Sequence, residues 1–229
     1  MTPSRKIDVY LEVGKKRTFA GALDWPGWCR AGRDEESALQ ALFDYGTRYA
    51  RVVGSAKLGF QAPANVSDLV VVERLKGNAT TDFGAPGLAP SQDGDPVSAD
   101  ELHDLEKLLK ACWRAFLGSV KKARGKSLQS GPRGGGRQVE GMIQHLLESN
   151  GGYLGAVGWK FQQEKADDLD LQLNNNLQAI LSAARASARG EIPAKGPRGG
   201  IRWTARYFVR RSAWHILDHA WEIEDRLNK

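Results

Sequence analysis

The sequence predicts a two-domain chain: a small α+β domain over residues 1–76, in the order strand–strand–helix–strand, then an all-α four-helix bundle over 98–229. Three observations predict it. Apolar and polar residues alternate with period two only near the N-terminus. Residues 77–97 are rich in Gly, Pro and small polar side chains, the composition of a linker. Everything beyond repeats its apolar residues at helical spacing.

In chain order, Lys6–Val13 alternates as a half-buried strand does, Gly14-Lys-Lys-Arg17 is a turn, and Thr18–Leu23 returns as the second arm of a hairpin. Asp24-Trp-Pro-Gly-Trp28 is a breaker cluster and reads as a loop. Glu35 to about Val53 is a helix through Ala38, Leu42, Tyr45 and Tyr49, with Asp34 as its N-cap. Leu69–Leu75 is a β-branched third strand, expected at the centre of its sheet. Ser98-Ala-Asp-Glu101 is a capping box that starts the first long helix, which runs to about Arg124. A second helix begins near Arg137 and passes through Met142, Leu146, Tyr153 and Leu154. A third spans about Leu169–Arg189, where Gly190 stops it, and the fourth is Trp203–Arg226.

The totals narrow the function classes. The 229 residues are 41% hydrophobic and 26% charged, ordinary for a globular protein. No apolar run approaches the roughly 20 residues that span a bilayer, and the N-terminus has no apolar signal core. A cytoplasmic protein without a membrane partner is expected. Cys29 and Cys112 match no ligand spacing and read as buried small hydrophobes. The net charge of +6 gathers in Lys121, Lys122, Arg124 and Lys126, and in Arg198, Arg202, Arg206, Arg210 and Arg211. No nucleic-acid motif accompanies these groups, so they read as solvated helix faces with ion pairs to Glu222, Glu224 and Asp225 rather than as a nucleic-acid surface.

The chemistry concentrates in the last helix. His215 and His219 are one turn apart and share a face, so both can ligate one metal. His145 on the second helix supplies the third imidazole. It falls roughly 60° outside its own helix's apolar arc, so it must sit at a seam between helices. Three neutral imidazoles leave one position open, the arrangement of catalytic zinc. The ion expected is divalent, zinc or nickel. It would make a water or a thiol nucleophilic at neutral pH, and Asp218 or Glu222 could accept the outer imidazole N–H. His103 shares its face with Lys107, Lys110 and Arg114 and is set aside as a surface residue.

Two further patterns stand out. Gly-Pro-Arg-Gly-Gly occurs at 131–135 and again at 196–200, before the two histidine-bearing helices, and each copy is followed by another arginine. Arg133, Arg137, Arg198 and Arg202 are therefore anion-binding candidates; flexible connections are the alternative. The last helix also carries a second apolar stripe of Trp203, Tyr207, Trp214, Leu217 and Trp221, which predicts packing against the N-terminal domain or, in a homodimer, a second subunit.

Two family resemblances follow. Phe19–Leu39, with its Asp-Trp-Pro-Gly and its later Glu-Glu-Ser-Ala-Leu, resembles the corresponding segment of HicB-like domains over about twenty residues. The resemblance implies a domain that binds a protein partner. Residues 98–229, with a central His145 and His215-Ile-Leu-Asp-His219, resemble the DinB/YfiT superfamily of metal-binding four-helix bundles. That resemblance implies His145, His215 and His219 as ligands. It also implies a small-molecule substrate and, in some members, a low-molecular-weight thiol cofactor for transfer or isomerisation. The rival expectation is a non-enzymatic partner-binding protein with the bundle as scaffold.

Overall fold

A computed structural model describes residues 6–131, 136–162 and 168–227. The chain divides into two compact units, Met1–Asp95 and Pro96–Lys229.

The first unit is built on a four-stranded mixed sheet. β1 (Ile7–Val13) and β2 (Thr18–Ala22) form the expected hairpin, with Val13 opposite Thr18. β2 pairs antiparallel with β3 (Cys29–Gly32), and β1 pairs parallel with β4 (Leu69–Lys76), giving the order β3-β2-β1-β4. Parallel pairing of β1 with β4 requires a crossover. The helices α1 (Glu35–Asp44) and α2 (Gly46–Gly54) provide it, and α1 packs on β2 and β3. The order is thus β-β-β-α-α-β rather than β-β-α-β. β3 went unread because Cys-Arg-Ala-Gly is too short to show alternation. β4 is an edge strand, not a central one: Val70 and Val72 are exposed on one face while Leu69 is buried. The helix expected over 35–53 breaks at Tyr45, which ends α1 and begins α2.

Asp34 caps α1 as predicted: Oδ1 accepts from the Ser37 N–H at 2.8 Å and Ser37 Oγ accepts from the Asp34 N–H. The breaker cluster delivers Trp28 to the core. Its Nε1 donates to the Leu42 carbonyl at 2.9 Å, its ring stacks on Tyr49, and Phe60 meets both rings edge-on.

Residues 77–95 are not a linker. They carry a short helix α3 (Ala79–Phe83) and a 3-10 turn (Ser91–Gly94), and they are tied to the sheet. Fully buried Glu12 of β1 accepts from the Gly87 N–H at 2.9 Å, the Leu88 N–H at 3.1 Å and the Thr81 hydroxyl. Glu73 of β4 accepts from Ser91 through both N–H and Oγ.

The second unit is four long helices: α4 (Ala99–Ala123), α5 (Val139–Val157), α6 (Leu169–Ala188) and α7 (Ala205–Leu227). Ser98 caps α4, its Oγ accepting from the Glu101 N–H. α7 packs against the other three helices, and 17 of its 23 residues are buried. Both apolar stripes are therefore covered. Tyr207, Trp214, Leu217 and Trp221 are buried, and Trp203 packs on Tyr153 and Tyr207. The arginines of α7 do not form one solvated face. Arg206 donates to Glu101, whereas Arg210, Arg211 and Arg226 are buried. Cys29 and Cys112 are both buried, neither in a disulfide, and burial pushes the Cys112 thiol far up, which keeps it protonated and inert. No helix among the described residues is long and apolar enough to cross a membrane.

Between α4 and α6, Glu106 accepts from Arg185 Nε at 2.5 Å and Nη2 at 2.8 Å. The guanidinium holds the Glu106 carboxyl below its usual range. A depressed carboxylate stabilises the fold above its unfolded pKa and loses that contribution as pH falls through the folded value. Glu106→Gln is expected to lower unfolding stability by about 1 kcal/mol at pH 7, a figure discounted for solvent screening. Chemical denaturation at a series of pH values should show the gap to wild type closing below about pH 4.

Candidate metal centre

Local structure sets the register that brings the histidines together. α5 ends at Gly158, whose φ of 93° closes a left-handed cap: the Gly158 and Trp159 N–H groups both donate to the Leu154 carbonyl. A Cβ on Gly158 would lie 2.4 Å from Arg202 Nε, so glycine also makes room for that side chain. The Trp203 N–H then donates to the Ala156 carbonyl at 3.0 Å. The start of α7 is thereby pinned to the end of α5. At the other end, the Arg226 guanidinium donates to the carbonyls of Gln129 and Arg137 in the α4–α5 connection, at 2.7 and 2.8 Å.

Between these two clamps, His145 of α5 faces His215 and His219 of α7. The His145 ring lies 5.2 Å from that of His215 and 5.1 Å from that of His219, nearly perpendicular to both. His215 Nε2 and His219 Nε2 are 3.0 Å apart. One potential ligand nitrogen from each residue falls within 4.8 Å of the others. A tetrahedral ion with metal–nitrogen bonds of about 2.0–2.1 Å sets its ligand nitrogens about 3.3–3.4 Å apart. The pair on α7 is already near that spacing, and side-chain rotation of half-buried His145 can close the remainder. Its partial exposure also leaves the centre open on one side.

The electrostatics suit cation binding. Burial, then the charges of His219 and Arg211, pushes His215 well below the ordinary imidazole range. Burial, then His219, lowers His145. Both rings are held neutral, the protonation state that ligates. Glu222 orients the third. Its Oε2 lies 3.2 Å from His219 Nδ1; in the tautomer with the proton on Nδ1, that contact leaves the Nε2 lone pair facing His215. Glu222 Oε1 accepts from Arg226 Nη1 at 2.9 Å, and the contact with His219, followed by the cation of Arg226, holds this carboxyl below its usual range. Buried His215 Nδ1 has no hydrogen-bond partner among the described residues. The donor set, its neutrality and the facing nitrogens fit a divalent ion.

The other sequence candidates fall as follows. Glu222 contacts a ligand imidazole, while Asp218 is half-buried one position before His219. His103 is exposed. Of the two repeated glycine loops, the described residues cover all of 196–200 but only Gly131 of 131–135. Arg133 lies outside the described residues. Arg137 is exposed, its carbonyl bound by Arg226, and Arg198 is exposed on the second loop. Arg202 donates to the Pro193 carbonyl at 3.0 Å and packs over Gly158, so its guanidinium is engaged by the protein. The 196–200 loop closes on itself: the Gly196 N–H donates to the Gly200 carbonyl and the Gly199 N–H to the Gly196 carbonyl.

The structure adds two residues to the site. Tyr153 edges His215 with ring centroids 5.6 Å apart. Its sequence signal is its position eight residues after His145, on the same face of α5. Arg211, one turn before His215, lies over the rings of Tyr153 and Trp214. Trp214 in turn stacks on His215, with rings 5.8 Å apart and 17° from parallel.

The fold and the site define a two-unit α+β chain with a three-histidine cluster that could hold a metal ion. Comparison with protein-family models, with characterised proteins and with solved structures returns no match. The resemblances to HicB-like and DinB/YfiT proteins rest on the quoted residues alone.

Proposed function

We propose that this protein binds a divalent metal through His145, His215 and His219, and acts on a small molecule at that centre as a hydrolase or a thiol-dependent transferase of the DinB/YfiT kind. The observation that carries the reading is the convergence of three imidazoles from two helices, two of them facing through Nε2 at 3.0 Å. The ion would supply Lewis acidity, which makes a water or a thiol nucleophilic at neutral pH. The chain's own residues do the positioning. Glu222 fixes the His219 tautomer, Arg226 fixes Glu222, and Trp214 and Tyr153 wall His215 from bulk water.

The expected result is about one zinc or nickel per chain in wild type grown with both metals. His215→Ala and His219→Ala should retain less than about a tenth of that content while keeping wild-type helical circular dichroism. Equal, near-zero metal in all three proteins would remove the reading.

A second reading assigns the first unit to partner binding. Its supporting observation is the edge strand β4, which presents exposed Val70 and Val72. It expects a specific protein to be captured equally by wild type and by the histidine variants, and capture abolished by Val72→Lys.

A further inference from the structure

Buried arginines in this chain normally come with acceptors. Arg226 reaches two carbonyls and Glu222, Arg206 reaches Glu101, and half-buried Arg185 reaches Glu106. Arg211 differs. It is only 9% exposed, and its Nη1 is buried with no hydrogen-bond partner among the described residues. A guanidinium cannot shed its charge to escape this cost, and an uncompensated buried cation is among the most unfavourable arrangements in a fold.

Arg211 does have partners of another kind. Its Cζ lies 4.5 Å from the Trp214 ring centre and 5.2 Å from that of Tyr153. Cation–π contact uses the guanidinium's flat face. Its N–H donors radiate in the plane, so stacking does not satisfy them, and Nη1 is the donor that is both buried and without an acceptor among the described residues. Such a cation is poised to receive an in-plane, planar oxyanion.

Its position names the site. Arg211 is one helical turn before His215, and both rings that lie under its guanidinium also touch His215: Trp214 by stacking and Tyr153 by its edge. The unsatisfied donor and the histidine cluster therefore share walls. The cations near the cluster also bear on the ligand: Arg137, whose charge reaches His145 and His215, is exposed to water. Arg202 and Arg226 are engaged by protein acceptors, which leaves Arg211 as the buried cation with an open donor here. One such cation matches a singly charged carboxylate better than a doubly charged phosphate.

We propose that Arg211 anchors the carboxylate of a small substrate whose reacting group lies at the three-histidine centre. The proposal rests on the metal reading above and adds to it the substrate class. Arg211 and the carboxylate form a charge-assisted, planar pair, the arrangement for which guanidinium is best suited. Trp214 and Tyr153 hold the guanidinium plane in place before the substrate arrives.

The test uses the full chain loaded with Co2+, whose visible spectrum reports thiol ligation. Mercaptoacetate, 3-mercaptopropionate and 4-mercaptobutanoate are titrated against 2-mercaptoethanol, which has the thiol but no carboxylate. Mercaptoethyl phosphate serves as the doubly charged comparison. In wild type, at least one mercaptocarboxylate is expected to bind about tenfold or more tightly than 2-mercaptoethanol, and more tightly than the phosphate. Arg211→Met should bring the mercaptocarboxylate to within about twofold of 2-mercaptoethanol, and Arg211→Lys should restore part of the preference. Cobalt content is measured on every sample. Wild-type cobalt uptake with no carboxylate preference overturns this proposal and leaves the metal reading standing. A preference that survives in cobalt-loaded Arg211→Met, or one that favours the phosphate, overturns it equally. Failure of wild type to take up cobalt overturns both. The wild-type ratio decides the matter even where the methionine variant does not fold.

Discussion

Arg226→Met is expected to destabilise the second unit by about 3–5 kcal/mol, the scale for removing one partner from a buried charged network. The side chain is only 2% exposed. It donates to the carbonyls of Gln129 and Arg137 and to Glu222. Methionine fills similar volume but supplies none of these donors, so the buried end of α7 loses its charge-assisted bonds to two part-buried carbonyls and a carboxylate at once. The Gln129 N–H also donates to the Arg226 carbonyl, so the connection is tied to α7 in both directions. Gly136 belongs to the same device. Its φ is 132°, and a Cβ there would lie 2.7 Å from Arg226 Nη1, so Gly136→Ala should lower stability as well. Urea unfolding provides the measurement, and a midpoint shift worth under about 1 kcal/mol for Arg226→Met would refute the account. The variant should also bind metal about 10- to 100-fold more weakly, because Glu222 no longer has a fixed cation beside it. Glu222→Gln separates the two effects. It keeps an oxygen to accept from His219 but loses the charge, so it should weaken metal binding with a smaller loss of stability.

The parts of this chain that could be read from its sequence are those with local causes. α4, α5, α6 and α7 begin and end close to the expected residues because caps such as Ser98 and Asp168, and apolar spacing at 3.6 residues, are written within each segment. The three histidines were legible for the same reason. A pair at i and i+4 fixes its own geometry, and only His145 needed tertiary structure to bring it in. What escaped was long-range. Arg206, Arg210 and Arg211 read as solvated charge, and the network of Arg226 went unread, because nothing near them in sequence shows that their surroundings are buried. Gln129 is 97 residues from the arginine that binds its carbonyl. β3 has four residues and no alternation, so its strand character comes from pairing with β2.

Residues 77–95 misled for a physical reason. Asn, Thr and Gly mark flexible linkers, but they are also the residues that cap short helices and permit tight turns. Asn78 Oδ1 accepts from the Thr80 and Thr81 N–H groups, and Thr81 Oγ1 accepts from the Asn78 N–H, a reciprocal cap at the start of α3. Composition cannot separate the two uses, because the difference is whether a distant acceptor is waiting. Here that acceptor is Glu12.

Glu12→Ala is accordingly expected to cost about 3–4 kcal/mol and to release the segment from the sheet. The side chain is fully buried in β1 and receives three donors, the Gly87 and Leu88 amides and the Thr81 hydroxyl. Alanine removes the acceptor and leaves both part-buried amides without it. Hydrogen bonds to a charged acceptor contribute about 1.5–3 kcal/mol each, so two such losses reach the stated range before any cavity term is added. Glu73 provides the contrast. It also accepts from this segment, at Ser91, but in an exposed place where water can substitute, so Glu73→Ala should cost under about 1 kcal/mol. Amide hydrogen exchange distinguishes local release from global loosening. In Glu12→Ala the Gly87 and Leu88 amides should lose protection by several orders of magnitude more than those of β1 and β2. Equal loss across the sheet would mean that Glu12 supports the β1–β4 pairing itself rather than the return of the chain across it.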